Sequence, residues 1–367
     1  MSRAAVRSPT GHILRGRLIL CMGAGGVGKT STAAALAYTA ALRGSRCGLI
    51  TVDPARRLRS ALGLDHLSAT PTRIEIEASG SLFAMALDTK RVFDDLIERV
   101  APTPAIAAAI LGNPLYRELS NELGGSTEYM AMEKLHQLLT TGEYDLLVVD
   151  TPPSAHAREL LDAPTRIAAL VDSGAARVLR APSSILRGNR FADAALGAIL
   201  ALLERWIGRG LVRNLSDFAA AFEPLLAGFR ERATQVHDTL HDEGTSIVLV
   251  TTAENDALRS TADLNRDLVG VDLPVAGIIA NRIHTAPPGD ELPRLRCGAT
   301  LREKMEANYA EYAARAEHDR AALNQMAARI APILASIPRL EEPISTLDHL
   351  AAMATILDAQ IAGRRAR

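Results

Sequence analysis

The residues Gly23-Ala24-Gly25-Gly26-Val27-Gly28-Lys29-Thr30 have the spacing G-x-x-x-x-G-K-[ST]. Glycines in this pattern let successive backbone N–H groups turn inward around an anion. The lysine adds a point charge for the outer phosphates, and the threonine hydroxyl is a hard oxygen donor suited to Mg²⁺. Nucleotide chemistry follows, with ATP and Mg²⁺ as the expected ligands and Gly23, Gly25, Gly26, Val27, Gly28, Lys29, Thr30 and Ser31 as their binding segment. Such chemistry also needs carboxylates. Asp53 and Asp150 each end an apolar run. One would orient the metal and the other the attacking water. Spacing leaves a plainer role open for Asp53, because Asp53-Pro54 also suits an N-cap followed by proline at the first helical position.

Elements must hold these residues in place. An apolar run, Leu18–Met22, precedes the glycines, and an Ala-rich helical pattern from Lys29 to about Arg43 follows them. Further strands are expected at Cys47–Val52, Arg73–Glu77, Leu82–Leu87, Tyr144–Asp150, Ile247–Thr251, Val275–Ala280 and Pro332–Ile337, with a loop over Ala61–Thr70. Short continuous apolar runs suit strands buried on both faces. Alternating with helices, they predict an α/β fold with a doubly wound, mostly parallel sheet. Two long stretches carry helical patterns and few strand signals. The expected organisation is a phosphate-loop ATPase domain from 16–90, 140–160 and 245–365, with a helical insertion subdomain from 91–139 and 161–244.

Composition narrows the class. The 367 residues carry 41 Lys+Arg against 42 Asp+Glu, a balance that argues against a nucleic-acid-coating protein. Aromatics make up only 4%, too few for base-stacking platforms. Cys21, Cys47 and Cys297 stand far apart with no C-x-x-C, so a thiol metal site has little support. No apolar run follows Arg3 and Arg7 as in a secretory leader. The longest apolar stretch, Ala194–Leu203, is about half of the ~20 residues a spanning helix needs. A cytoplasmic protein is expected.

The glycine loop, Asp53-Pro54-Ala55 and Asp150-Thr-Pro-Pro-Ser-Ala-His156 together resemble the ArsA/Get family of dimeric phosphate-loop ATPases. That family includes arsenite-pump ATPases and ATPases that target tail-anchored membrane proteins. Ile337-Pro338-Arg-Leu340-Glu-Glu-Pro343 looks like its adenine-side loop, and Asn281-Arg282-Ile283 after a strand like its base-contacting Asn. The resemblance implies Lys29 and Thr30 at phosphates and Mg²⁺, Asp53 in a first switch positioning water, and Asp150 in a second switch at the metal. It places His156 at a switch histidine, an assignment that stands beside an ordinary structural role. Asn281, Pro338 and Leu340 would meet the base. A homodimer, or a heterodimer with a paralogous ATPase subunit, is implied.

One position departs from the family. The family's loop reads G-K-G-G-V-G-K-T, and its first lysine crosses the dimer to the partner's nucleotide. Ala24 stands there instead, as in the actinobacterial paralogue that lacks this lysine. Three readings stay open: an ATP-hydrolysing switch coupled to a client, a non-catalytic ATP-binding subunit of a heterodimer, and the ATPase subunit of arsenite or anion efflux. A GTPase is disfavoured, since Asn281-Arg-Ile-His284 lacks the Lys and Asp of N-K-x-D. Apolar residues at helical spacing, Leu196 to Leu211 and Phe218 to Phe229, suit either a small helical core or a groove for a hydrophobic client helix.

Overall fold

The structure is a computed structural model. It describes residues 13–52, 56–113, 116, 127–152, 162, 165, 169, 223–286, 298–340 and 342–363. Asp53-Pro54-Ala55, His156, Leu196–Leu211, Phe218, Phe222, Cys297 and Ala194–Leu203 lie outside the described residues.

Two compact units divide the chain. The first gathers Met1–Leu87, Leu138–Arg158 and His241–Arg367; the second gathers Asp88–Gln137 and Glu159–Leu240. The first unit holds one sheet of eight strands: β1 (Leu18–Met22), β2 (Arg46–Thr51), β3 (Thr72–Ile74), β4 (Ser81–Ala86), β5 (Leu146–Asp150), β6 (Thr245–Thr251), β7 (Val275–Ile283) and β8 (Ile333–Pro338). Their order is β3-β4-β2-β5-β1-β6-β7-β8. Every pairing is parallel except β3 with β4. The fold is therefore the α/β doubly wound sheet that the apolar runs predict. All five residues of β1 and all five of β5 are buried, as strands covered on both faces must be. The antiparallel β3 has three residues and sits at the edge, where a short strand limits pairing with other chains.

Strand β7 is longer than its apolar pattern suggests. The run Val275–Ala280 predicts an end before Asn281, but the ladder continues through Ile283, with Ile283 in register with Pro338. Burial explains the extension. Asn281 is 8% exposed and its side chain is hydrogen-bonded, so a polar residue is accommodated within the strand.

Helix α1 (Lys29–Leu42) follows the glycine loop. Its run Ala33–Ala37 is buried, and small side chains let a helix lie close to a sheet. Helix α2 (Arg56–Ala61) follows β2. Farther along the chain, α7 (Asn255–Val269) follows β6 and α8 (Ala299–Arg329) precedes β8, and the last helix, Leu347–Gly363, packs on α1. Thr39 Oγ1 donates to Ala35 O at 2.7 Å and approaches Ala354 O at 3.2 Å, and Arg43 Nε pairs with Asp358 at 2.6 Å. Leu350, Met353, Ala354 and Leu357 fill the apolar layer there.

The second unit is helical among its described residues. Helix α3 (Thr89–Val100) is capped by Asp88, whose carboxylate accepts from Arg91 N at 3.0 Å, and it buries Val92, Leu96 and Ile97. Helix α4 (Pro104–Leu111) starts with Thr103 as cap and proline at the first position. Helices α5 (Thr127–Thr141) and α6 (Leu226–His241) complete it. Of the helical pattern over Phe218–Phe229, the described residues form a 3-10 turn, Glu223–Leu225, that runs directly into α6. Phe229, Ala233, Val236 and Leu240 are buried at helical spacing. Among the described residues no helix is long and apolar enough to cross a membrane.

A charged cluster lies inside this unit. Glu133, wholly buried, meets Arg232 Nε at 2.8 Å and Arg99 Nη2 at 3.1 Å. Nearby, His136 Nδ1 lies 2.8 Å from Thr239 Oγ1. Burial pushes the His136 imidazole down to about 4, and Arg232 and Arg99 push the same way. The unfolded chain takes up this proton near pH 6.5, while the folded chain refuses it until about 4. More protons are then bound to the unfolded state within that window, so stability falls as pH drops through it. His136→Gln keeps a polar partner for Thr239 but removes the proton uptake. Urea midpoints measured from pH 6.5 down to 4 should vary less in this variant than in the wild type. Equal slopes would show that the folded state accepts the proton.

Candidate nucleotide site

The loop Gly23–Gly28 connects β1 to α1, at the carboxyl end of the sheet's central strand. Ligands in doubly wound sheets bind at that end. Gly26 and Gly28 adopt positive φ, 81° and 93°, which glycine reaches without a Cβ penalty. Two close approaches explain other glycines. A Cβ on Gly23 would lie 2.2 Å from the backbone oxygen of Val250, and a Cβ on Gly28 would lie 2.2 Å from Asn281 Nδ2. The loop is therefore wedged between β6 and β7. Gly25 and Gly26 are exposed, and a Cβ on either would meet nothing within 4 Å, so these two present open backbone.

Asn281 ties the wedge together. Its Nδ2 donates to Val27 O at 2.9 Å, and its Oδ1 accepts from Arg282 N at 3.0 Å. Lys29 is 8% exposed, and its ammonium donates to Ala24 O at 3.0 Å, folded over its own loop. Thr30 and Ser31 are half-buried on the first turn of α1. That turn carries no acidic residue, so the positive end of the helix dipole faces the loop uncancelled. Ala24 is partly buried against the apolar core.

Asp150 closes β5, level with Cys21 on one side and Thr51 on the other. It is 1% exposed, and its Oδ2 accepts from Thr51 Oγ1 at 3.1 Å. Burial pushes the Cys21 thiol far above its usual range; Asp150 adds to the effect and Lys29 opposes it. A buried anion and a buried cation thus flank the root of the loop. The donors Thr30 and Asp150 are oxygen ligands of the type hard divalent cations take. Among the described residues no cluster of three His, Cys, Asp or Glu side chains forms a protein-only metal cage.

A cleft of about 1190 Å³ opens over this loop. Gly25, Gly26, Gly28, Lys29, Thr30 and Ser31 line it at one end. Asn281, Pro338 and Leu340, distant in sequence, line it too. Ligand pockets usually measure roughly 300–1,000 Å³, so a whole nucleotide has room. Asp53 and His156 lie outside the described residues. Several lining residues escape sequence reasoning. Thr252, Ala253, Glu254 and Asn255 follow β6, and His284 and Asp319 stand farther along the wall. The polar pair Thr251-Thr252 at the end of an apolar strand was a usable signal for the first group, by the same strand-end rule that marks Asp150. Asp319 had none: it sits 35 positions from His284, within a helix whose other charged residues look just like it.

The wedge predicts a contrast between neighbouring glycines. Gly23→Ala forces its methyl against a backbone oxygen that cannot swing away, at a cost of about 1–3 kcal/mol. It should lower the melting temperature and weaken nucleotide binding. Gly25→Ala meets open space and should leave the melting temperature within error. Differential scanning calorimetry of both variants checks this, and equal melting would show that β6 yields to the loop.

Comparison with known proteins agrees with the geometry. A family model described as an anion-transporting ATPase matches residues 16–313. The chain is 25% identical over 287 residues to an ATPase GET3 of Malassezia globosa, covering 78% of each protein. It is 26% identical over 284 residues to an ATPase GET3A of Arabidopsis thaliana, covering 77% of this chain and 71% of that one. An uncharacterised protein of Streptomyces coelicolor is 33% identical over 152 residues, 41% of this chain and 38% of that protein. With a glycine-wedged phosphate loop at the head of a parallel sheet and a family match over most of its length, the chain belongs to the anion-transporting ArsA/GET3 family of ATPases.

Proposed function

We propose that the chain binds Mg²⁺–ATP in this cleft and hydrolyses it as a nucleotide-gated dimer, coupling the γ-phosphate to binding or release of a client through its helical unit. The observation that carries the reading is the cradle itself: open backbone at Gly25 and Gly26, a buried lysine, and the unopposed N-terminus of α1 on one cleft wall.

On this reading Lys29 leaves its own loop carbonyl and turns to the outer phosphates, a stronger, charge-assisted partner. Thr30 and Asp150 hold Mg²⁺, which draws charge from the phosphate oxygens. Asp53 orients the attacking water and accepts its proton. Asn281, Pro338 and Leu340 flank the base. Loss of the γ-phosphate releases the switch segments around Asp53 and Asp150, and the helical unit responds. A hydrophobic client is what the resemblance to ATPases that target tail-anchored membrane proteins implies, and the relatives' names support the ATPase part of the reading. The arsenite reading draws little from the thiols. Cys21 and Cys47 are wholly buried and strongly resist ionisation, and soft metalloids bind thiolates.

A second reading is favoured by one residue. Ala24 offers no charge to a partner's nucleotide, so the chain would serve as a nucleotide-binding subunit that receives a lysine from a paralogue. Hydrolysis leaves charge on phosphoryl oxygens, and a cation supplied across an interface stabilises it.

Two experiments test these readings. Lys29→Ala removes the phosphate-facing charge, and calorimetry with Mg²⁺–ATP should show affinity about 100-fold weaker, as expected for a charged hydrogen-bond donor. Unchanged affinity removes the phosphate-loop assignment. Steady-state ATPase of wild type should be low, and Ala24→Lys or mixing with a lysine-bearing paralogue should raise it. Robust wild-type turnover that neither change affects would mean that another group supplies the missing charge.

A further inference from the structure

The wall of the cleft beyond the phosphate loop carries a histidine–carboxylate pair. His284 follows directly on β7, three residues past Asn281. Arg282, between them, takes a positive φ of 58°, and the β7–β8 register shifts there, so the chain turns as it leaves Asn281. Asp319 belongs to α8, the helix Ala299–Arg329, and is 6% exposed. A single oxygen, Asp319 Oδ2, receives the backbone N–H of His284 at 2.9 Å and lies 2.9 Å from its Nδ1. Tyr312, from the same helix, sets its ring against the imidazole at 73° with centroids 6.1 Å apart. His284 and Asp319 both line the cleft that contains the loop, Asn281 and Pro338.

Holding α8 to β7 needs only the bond from the backbone N–H. The second bond, to the ring, does something more: it orients the imidazole and selects its tautomer. An ionised carboxylate accepts and does not donate, so Nδ1 carries its proton toward Asp319. In its neutral form the ring offers Nε2 as a lone-pair acceptor. Adenine and guanine differ at the matching position. Adenine carries a donor amine at C6, and guanine carries an acceptor carbonyl. An acceptor fixed in a partly buried wall pairs with the first and leaves two unpaired lone pairs with the second.

We propose that His284, oriented by Asp319, reads the base in this cleft, accepting a hydrogen bond from the exocyclic amine of adenine and rejecting guanine. Asp319 is a positioning residue that acts through the imidazole. The inference rests on the nucleotide reading of the cleft and adds the group that selects the base.

The full chain is titrated by calorimetry with Mg²⁺–ADP and Mg²⁺–GDP, alongside His284→Ala, His284→Gln, Asp319→Asn and Lys29→Ala, with melting curves for each. Wild type should favour ADP by at least tenfold. His284→Ala should lose about tenfold in ADP affinity and little in GDP affinity, so the ratio falls toward one. Asp319→Asn is the sharper arm. Its carboxamide can donate to Nδ1, which moves the ring proton to Nε2 and favours a carbonyl acceptor. The ADP:GDP ratio should therefore shift toward GDP. A merely structural role would lower both affinities together and leave the ratio unchanged, and that result overturns the proposal. If His284→Ala melts out, His284→Gln and Asp319→Asn carry the same comparison. Lys29→Ala should weaken both diphosphates equally, a readout of the cleft independent of base choice. Failure of wild type to bind either diphosphate removes the nucleotide reading and this inference with it.

Discussion

A clash distance governs the site: the loop after β1 passes so close to its neighbours that a Cβ would sit 2.2 Å from a strand carbonyl at Gly23 and 2.2 Å from an amide nitrogen at Gly28. Glycine is required at those two positions because of what lies beside them. The loop is pressed against the ends of β6 and β7, and its free face is left at Gly25 and Gly26. Rigidity comes from the sheet, and openness is confined to the face that meets the ligand. An anion site built this way is organised before anything binds, which reduces the ordering cost of binding.

The same geometry puts opposite charges at the loop's root. Lys29 and Asp150 are both nearly inaccessible to water, and each is a costly group to bury alone. Lys29 is held by a neutral loop carbonyl and Asp150 by the Thr51 hydroxyl. A phosphate and a divalent cation are the ligand groups whose charges complement a buried ammonium and a buried carboxylate.

Much of this was legible in the sequence because it is local. The glycine spacing, the apolar strand before it and the alanine-rich helix after it lie within about thirty residues, and each signal reports on the same turn. The strand-end position of Asp150 was legible as well, since a parallel strand reads as a short apolar run with a polar tip. Asn281 was legible in kind but not in place. A polar residue looks like the end of an apolar strand, and only the bond to Val27 O shows why the ladder runs past it. The Glu133–Arg99–Arg232 cluster was hidden for the opposite reason. It joins Glu133 to Arg99, 34 positions away, and to Arg232, 99 positions away.

The cleft therefore has two ends of different origin. Its phosphate loop comes from one contiguous stretch and depends on close packing at Gly23 and Gly28. Its far end is assembled from β7, α8 and the segment after β8, whose residues meet only through tertiary contacts. A change at Ala24 lies on the loop yet away from both wedge contacts, where a side chain is tolerated and only the charge offered to a neighbour differs. Binding and catalysis can consequently diverge in this scaffold. The wedge holds the loop by sterics at Gly23 and Gly28, while Ala24, packed on the core and away from both contacts, sets only what the loop offers to a neighbour.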